Sequence, residues 1–368
     1  MAPQASLLGL PRELRDHILD LIVSSRQEAP KDTSNITNRI ELNDFKTKSS
    51  QILGKIHQNF IYGSRAYKAA HTYATHVVEH QKISSKLVKY PIRGGRIVMF
   101  PTLLVNKRLH TETLEVIERS KDRRKWELDI MLVNNYQLWP TWMYMPKFNR
   151  RVEQLSLTFR IIESFGTDYC NPYQQHPNVW SQVSWTFYHF LERLLKVGPF
   201  GKRSKGVDNR FIVERLIINV SSPEWTEEEH KTTKGMDRAG MVEMWKKKGS
   251  PRFIGGRFLA QWLERAVEIL ANMNHGSAAA FSAILYERVG TIEVQLDGKT
   301  CSKWDLGDRL RKLRFDDLMF WENGYDLRPR IYKNWKMDTH ELRQRSGLPV
   351  ENLDEDELEY LDSIDYAE

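Results

Sequence analysis

The chain has 368 residues, 55 Lys and Arg against 48 Asp and Glu, and a net charge of +7. A hydrophobic fraction of 40% and an aromatic fraction of 11% exclude a wholly disordered chain and predict a sizeable buried core. Cys170 and Cys301 are its only cysteines, which excludes a disulfide framework. No run approaches the roughly 18 apolar residues of a membrane helix, and residues 1–10 lack a secretory signal. We therefore expect a soluble protein of the cytoplasm or nucleus.

The first periodic segment predicts an amphipathic helix. Pro11 suits a first helical turn because it lacks an N–H group that would be unpaired there. Leu14, Ile18 and Leu21 then recur at spacings of four and three, which places them on one face of the helix. Arg15 lies elsewhere on its circumference.

Three further segments precede the main body of the chain. Residues 24–50 are rich in Ser, Thr, Asn and Asp, and predict a long loop. Apolar residues spaced by three or four between Ile56 and Val77 predict a helix over about residues 51–82. Another helix is predicted to begin at Pro101, with the apolar positions Leu104, Leu109, Leu114 and Ile117.

After about residue 125 the apolar period changes from that of a helix to that of a strand. Apolar residues occupy every second position there, at Trp126, Leu128, Ile130 and Leu132. A pattern Val-x-x-apolar-x-apolar-x-apolar then occurs three times, at Val152/Leu155/Leu157/Phe159, Val213/Leu216/Ile218/Val220 and Val289/Ile292/Val294/Leu296.

Helical stretches separate these copies, at 180–197 and 258–273. Such alternation is typical of parallel strands joined by right-handed crossovers. The sequence predicts an α+β or α/β fold, with a helical N-terminal region, an irregular α/β body with a partly parallel sheet, and a last helix from Trp304 to Trp321.

Two segments resemble the halves of an F-box motif. Residues 10–14 read Leu-Pro-Arg-Glu-Leu and are followed by Ile18 and Leu19, like the Leu-Pro-x-Glu-Leu and Ile-Leu of the motif's opening. Residues 103–114 resemble the second half in fungal F-box-like proteins, where an apolar pair and Val precede a small residue, a basic pair and an amphipathic turn. The chain therefore resembles the fungal F-box-like family.

The resemblance implies a non-enzymatic interaction protein, a substrate receptor of an SCF-type ubiquitin ligase. The first helix would dock on the S-phase-kinase-associated adaptor of cullin ligases, and the body would hold an unknown target protein. The docking face would comprise Leu10, Pro11, Leu14, Ile18, Leu21, Leu104 and Leu109. The same stripe also suits a helix packed into the protein's own core, because periodicity does not reveal what a face contacts.

The spacing of apolar residues and the distribution of charge divide the chain into three parts. Residues 1–120 form the F-box-like helical region with a long insertion at 24–98, residues 121–345 the body with repeated strand–helix units, and residues 346–368 an acidic C-terminal tail. Nine acidic residues and no basic one lie in 351–368, so residues 1–350 carry +16. The tail either docks on this basic body or is a mobile solubilising segment.

Nucleic-acid binding by the basic body is the alternative function. Basic clusters lie at 119–125, 202–205, 246–252 and 309–314, and the plentiful aromatic side chains suit stacking on bases. Short charge runs are also typical of solvated turns, and no nucleic-acid-binding module is recognisable.

One metal-binding pattern is present. His76, Glu79 and His80 match H-x-x-E-H, in which two His one helical turn apart bind zinc and the Glu is a general base. On the predicted helix over 51–82 both His side chains fall opposite the apolar face, and so in solvent. We predict no bound metal, no cofactor and no catalytic residues.

Overall fold

The computed structural model describes eleven stretches of the chain. These are residues 7–34, 36–42, 86–92, 103, 106–133, 137–162, 182–199, 208–222, 256–272, 278–314 and 328–363. The predicted helix over 51–82 and its His76, Glu79 and His80 lie outside them.

Eight α-helices and eight β-strands lie in these stretches. The helices are α1 (Arg12–Ser24), α2 (Lys107–Arg119), α3 (Gln182–Val197), α4 (Gly256–Asn272), α5 (Ala278–Arg288), α6 (Leu306–Lys312), α7 (Arg328–Ser346) and α8 (Glu355–Ser363). The strands are β1 (Arg39–Glu41), β2 (Lys89–Pro91), β3 (Lys125–Val133), β4 (Gln137–Tyr144), β5 (Arg151–Ile162), β6 (Ile212–Ser221), β7 (Val289–Leu296) and β8 (Lys299–Asp305).

A six-stranded mixed sheet forms the centre of the fold, in the order β4-β3-β5-β6-β7-β8. The four inner strands are parallel, and β4 and β8 add antiparallel to the two edges. This arrangement confirms the predicted fold with a partly parallel sheet. It also confirms the three strands predicted from the repeated Val-x-x pattern.

The three copies of that pattern lie in register. Val152, Val213 and Val289 are cross-strand neighbours, and each later apolar position also faces its equivalent on the next strand. On β3, Leu128 extends the row formed by Leu157, Ile218 and Val294. The repetition in the sequence thus produces continuous apolar rows across the parallel strands, because in-register neighbours point to the same face.

Helices cover the apolar face of the sheet. Phe159 of β5 meets Phe187 of α3 edge to face, with the ring centroids 5.4 Å apart. Leu263 and Val267 of α4 belong to the same buried cluster. The opposite face of the inner strands carries mostly polar side chains, such as those of Gln154, Ser156, Thr158 and Arg160.

The edge strands were not predicted from the sequence. Pro140 lies within β4, where it is tolerated because an edge strand does not need every backbone N–H group. The prediction of a helix from Trp304 to Trp321 was wrong at its start, because Trp304 belongs to β8 and pairs with Ile292. It was also wrong at Leu313, which has extended backbone and follows the end of the helix at Lys312. The helix α6 begins at Leu306, and the Asp305 side chain caps it by accepting from the N–H groups of Gly307 and Asp308.

The N-terminal segment partly departs from the predicted long loop. Residues Arg39–Glu41 form β1 and pair antiparallel with β2. The Arg39 side chain donates to the carbonyl oxygen of Pro140 at 3.0 Å and lies over the Trp139 ring. The prediction of a loop over all of 24–50 is therefore wrong at β1, since contacts with distant residues of β2 and β4 order it.

The acidic C-terminal segment is packed against the body through α8. Leu361 and Glu357 of this helix are buried. The interpretation of residues 346–368 as a mobile tail is therefore wrong for α8. The alternative, that the acidic segment docks on its own body, describes this helix. None of the described helices combines the length and apolar composition that crossing a membrane requires.

Candidate functional site

The two segments that resemble the halves of an F-box pack against each other as α1 and α2. Arg15 of α1 donates from Nε and Nη2 to the two carboxylate oxygens of Glu112 of α2, at 2.9 and 2.8 Å. Both residues are buried. A two-pronged bond of this kind fixes the rotation of one helix against the other, because the planar guanidinium matches the carboxylate in one orientation.

Glu112 is the centre of a group of three arginines. Arg108, one helical turn earlier on α2, donates to Glu112 at 3.1 Å, and the Arg12 guanidinium lies 3.7 Å away. The hydrogen bonds from Arg15 are the main cause that lowers the pKa of Glu112 to about 2. The carboxylate is therefore ionised at neutral pH although it is buried.

Two more ion pairs join the helices at the solvent-exposed rim. Arg12 bonds to Glu115 at 2.5 Å, and Arg119 bonds to Asp16 at 2.9 Å. The hydrogen bonds from Arg119 and Arg12 lower the pKa of Asp16. Exposed pairs contribute little each, about 0–1 kcal/mol, so the buried Arg15–Glu112 pair is the main polar tie between the helices.

The paired helices are also mounted on the sheet. Leu19 and Val23 of α1 join the buried cluster of the body, as does Val116 of α2. Just after α1, Arg26 makes a two-pronged bond to Glu127 of β3, at 2.8 and 2.9 Å. The first helix is thus held at a set position beside β3.

This mounting turns the predicted apolar stripe of α1 outward. Leu14 is 53% exposed and Leu21 is 58% exposed, while Arg15, Leu19 and Val23 form the buried face. Arg15 and Leu19 of the buried face each come one position after a residue of the stripe, Leu14 and Ile18. Consecutive residues point in different directions around a helix axis, so the stripe and the buried face are two different faces of α1. The alternative that the whole stripe packs into the protein's own core does not hold for Leu14 and Leu21.

The other residues predicted on the docking face differ in exposure. Pro11 is exposed, and Leu10 and Ile18 are partly exposed. Leu109 is buried, so it does not lie on an accessible surface: it packs inward from α2. Leu104 lies outside the described residues. Leu8, just before α1 and not among the predicted residues, is 38% exposed.

Three residues of this site, Arg15, Glu112 and Asn106, were not predicted from the sequence. Arg15 and Glu112 each share a helix face with buried apolar residues, and a charged side chain in such a stripe is a signal for a buried ion pair. Asn106 is the N-cap of α2, because its side chain accepts from the Leu109 N–H group at 2.9 Å. Helix α2 therefore has a capped start at Lys107, whereas the start predicted at Pro101 lies outside the described residues.

Many basic side chains of the predicted clusters pair with carboxylates of this chain. Such pairs, in the described residues, are Arg119–Asp16, Arg123–Glu118, Lys125–Asp122, Arg309–Glu268, Arg311–Glu351, Lys312–Asp308 and Arg314–Glu357. The clusters at 202–205 and 246–252 lie outside the described residues. The two described clusters are thus largely neutralised, which weakens their attraction for a polyanion.

No group of three or more His, Cys, Asp or Glu side chains that could hold a metal ion occurs in the described stretches. The zinc pattern His76/Glu79/His80 is outside those stretches, so the prediction about it stays a prediction. Comparison of the chain with protein families, with curated proteins and with solved structures finds no match.

Proposed function

We propose that this protein is a protein-interaction protein that docks on a partner through α1, as the F-box-like resemblance implies. The partner is the S-phase-kinase-associated adaptor of cullin ligases, and the α/β body receives a target protein. The observation that carries the proposal is the outward orientation of Leu14 and Leu21 on a helix fixed to α2 by the Arg15–Glu112 pair.

A helix that binds in an apolar groove needs anchor side chains at spacings of three and four on an exposed face. Leu14, Ile18 and Leu21 have this spacing, and Pro11 lies one turn before Leu14. Each large apolar side chain that is removed from water on docking contributes roughly 1.5–3 kcal/mol at most. A few such anchors are enough for a specific interface, because a handful of residues dominates most binding energies.

The two halves of the motif also lie side by side. The chain between α1 and α2 is long, yet Arg15 and Glu112 are in direct contact across 97 positions. A preorganised helix loses less conformational freedom on binding than a mobile one. The buried ion pair therefore supports docking by keeping the anchors of α1 in one orientation.

Co-purification with the purified adaptor tests the proposal. We expect the wild-type chain to retain the adaptor, and the variant Leu14→Asp plus Leu21→Asp to lose at least about tenfold in affinity, which corresponds to about 1.4 kcal/mol. Both positions are more than half exposed, so the substitutions leave the core of the fold intact. Thermal unfolding of the variant checks this point.

A matched control makes the same chemical change elsewhere on the surface. Met337→Asp plus Leu358→Asp replaces two exposed apolar side chains of α7 and α8. This control should bind the adaptor like the wild type. An equal loss of adaptor affinity in both variants would contradict docking through α1. A wild-type chain that does not retain the adaptor would contradict it too.

A further inference from the structure

The acidic helix α8 occupies a basic surface formed by α6, α7 and the residues that follow α6. Lys333 of α7 pairs with Asp362 at 2.7 Å, and Arg311 of α6 pairs with Glu351, just before α8, at 2.7 Å. Lys336 and Arg314 both bind the Glu357 carboxylate. Four cations of the body therefore meet three carboxylates of the C-terminal segment.

The centre of this contact is buried. Lys336 is fully buried and also donates to the carbonyl oxygens of Arg311 and Leu313, at 3.0 and 2.7 Å. Burial lowers the pKa of the Lys336 ammonium group. Its position at the end of α6 fits a cation, because the last carbonyl groups of a helix carry partial negative charge. The Glu357 carboxylate completes its set of partners.

Apolar contacts of α8 are few. Leu361 is buried, Leu353 and Tyr360 are partly buried, and the Arg314 guanidinium lies over the Tyr360 ring at 4.3 Å from its centroid. A nine-residue helix is too short to be stable alone in water, so α8 depends on this surface for its structure. Segments with few buried apolar contacts open locally more readily than the core does.

We infer that the surface formed by Arg311, Arg314, Lys333 and Lys336 is a binding site for an acidic, amphipathic helix of a partner protein, and that α8 occupies it as an intramolecular competitor. The partner would carry a buried carboxylate at the position of Glu357, with an apolar residue four positions later, as Leu361 is. The site includes α6, which contacts β7 and β8, whereas Arg26, just after α1, bonds to β3 near the opposite edge of the sheet. The inference therefore does not depend on adaptor docking.

The test uses the full chain and a fluorescent peptide with the sequence of residues 351–363. The variant Glu351→Lys plus Asp362→Lys places like charges opposite Arg311 and Lys333, and so weakens the docking of α8 in the chain. The control, Asp356→Lys plus Glu359→Lys, changes the net charge equally. Both control positions are exposed and form no ion pair within the described residues.

Fluorescence anisotropy should show the peptide binding the first variant about tenfold more tightly than the wild type or the control, because exposed ion pairs and their reversal change affinity by this order. Equal peptide affinity for all three chains would overturn the inference. The inference would also be overturned if the first variant bound a single-stranded oligonucleotide more tightly than the wild type does but did not bind the peptide more tightly. The surface would then fit a nucleic acid.

Hydrogen exchange of the wild-type chain gives a second measurement that needs no variant. We expect the α8 amides to exchange faster than the α7 amides, and faster still at high salt, because opening breaks ion pairs that salt screens. If the α8 amides exchange only on global unfolding, α8 is not a displaceable competitor and the inference is wrong.

Discussion

Arg15 and Glu112 form a buried, two-pronged ion pair between helices whose residues lie 97 positions apart. Such a pair contributes little net stability compared with apolar residues of similar size, because both charges lose their hydration. Its effect is on orientation. It holds α1 so that Leu19 and Val23 face the core while Leu14 and Leu21 face outward.

Arg15→Met should destabilise the protein, because Glu112 keeps its charge and loses its two-pronged partner, while Arg108 and Arg12 compensate that charge only in part. Urea unfolding measures this change. The double variant Arg15→Met plus Glu112→Leu should recover most of the lost stability, since the buried carboxylate is removed together with its main partner. If the double variant is as unstable as Arg15→Met, the broken ion pair is not the cause of the lost stability.

Stability should depend on pH through Glu112. Its pKa of about 2 in the folded protein lies below the ordinary value of 4.5, so its stabilising contribution is complete above about pH 4.5 and is lost as the pH falls towards about 2. Glu112→Gln removes this titration. The free energy of unfolding of this variant should therefore fall less steeply than that of the wild type between pH 4.5 and pH 2. If the free energies of unfolding of the two proteins fall in parallel over this pH range, Glu112 is not the group responsible for the pH dependence.

The in-register apolar rows should dominate the stability of the sheet. Ile218 is fully buried at the centre of the row that contains Leu157 and Val294. Ile218→Ala should cost about 2–5 kcal/mol, from lost burial and the cavity that remains. Thr158→Ala, on the opposite and partly exposed face, should stay within about 0.5 kcal/mol of the wild type. Similar losses at both positions would be inconsistent with one dominant apolar face.

Gly307 of α6 allows residues near Pro349 to pack closely. A Cβ atom at this position would lie 2.3 Å from the Pro349 carbonyl oxygen, a group that also accepts hydrogen bonds from the buried Arg343. Gly307→Ala should therefore destabilise the protein by about 1–3 kcal/mol in urea unfolding. Gly9→Ala is the control, because nothing lies within 4 Å of its Cβ position. Equal stability of the two variants would contradict the close contact.

The sequence by itself determined the features that depend on local period. The alternating apolar residues of β3 and the three copies of the Val-x-x pattern became strands, since side chains of a strand alternate between faces wherever the strand lies. The stripe Leu14/Ile18/Leu21 likewise lies on a helix, because its spacing is that of helical turns.

Only the tertiary structure decided what each face contacts. Both the outward turn of α1 and the docking of α8 depend on charges brought together from distant positions, Arg15 with Glu112 and Lys336 with Glu357. The edge strand β8 was missed because it is fixed by pairing with β7 and not by a strong apolar period of its own. The local spacing of apolar residues defines the apolar face of a helix or strand, whereas contacts between distant residues decide whether that face points to the core or to solvent.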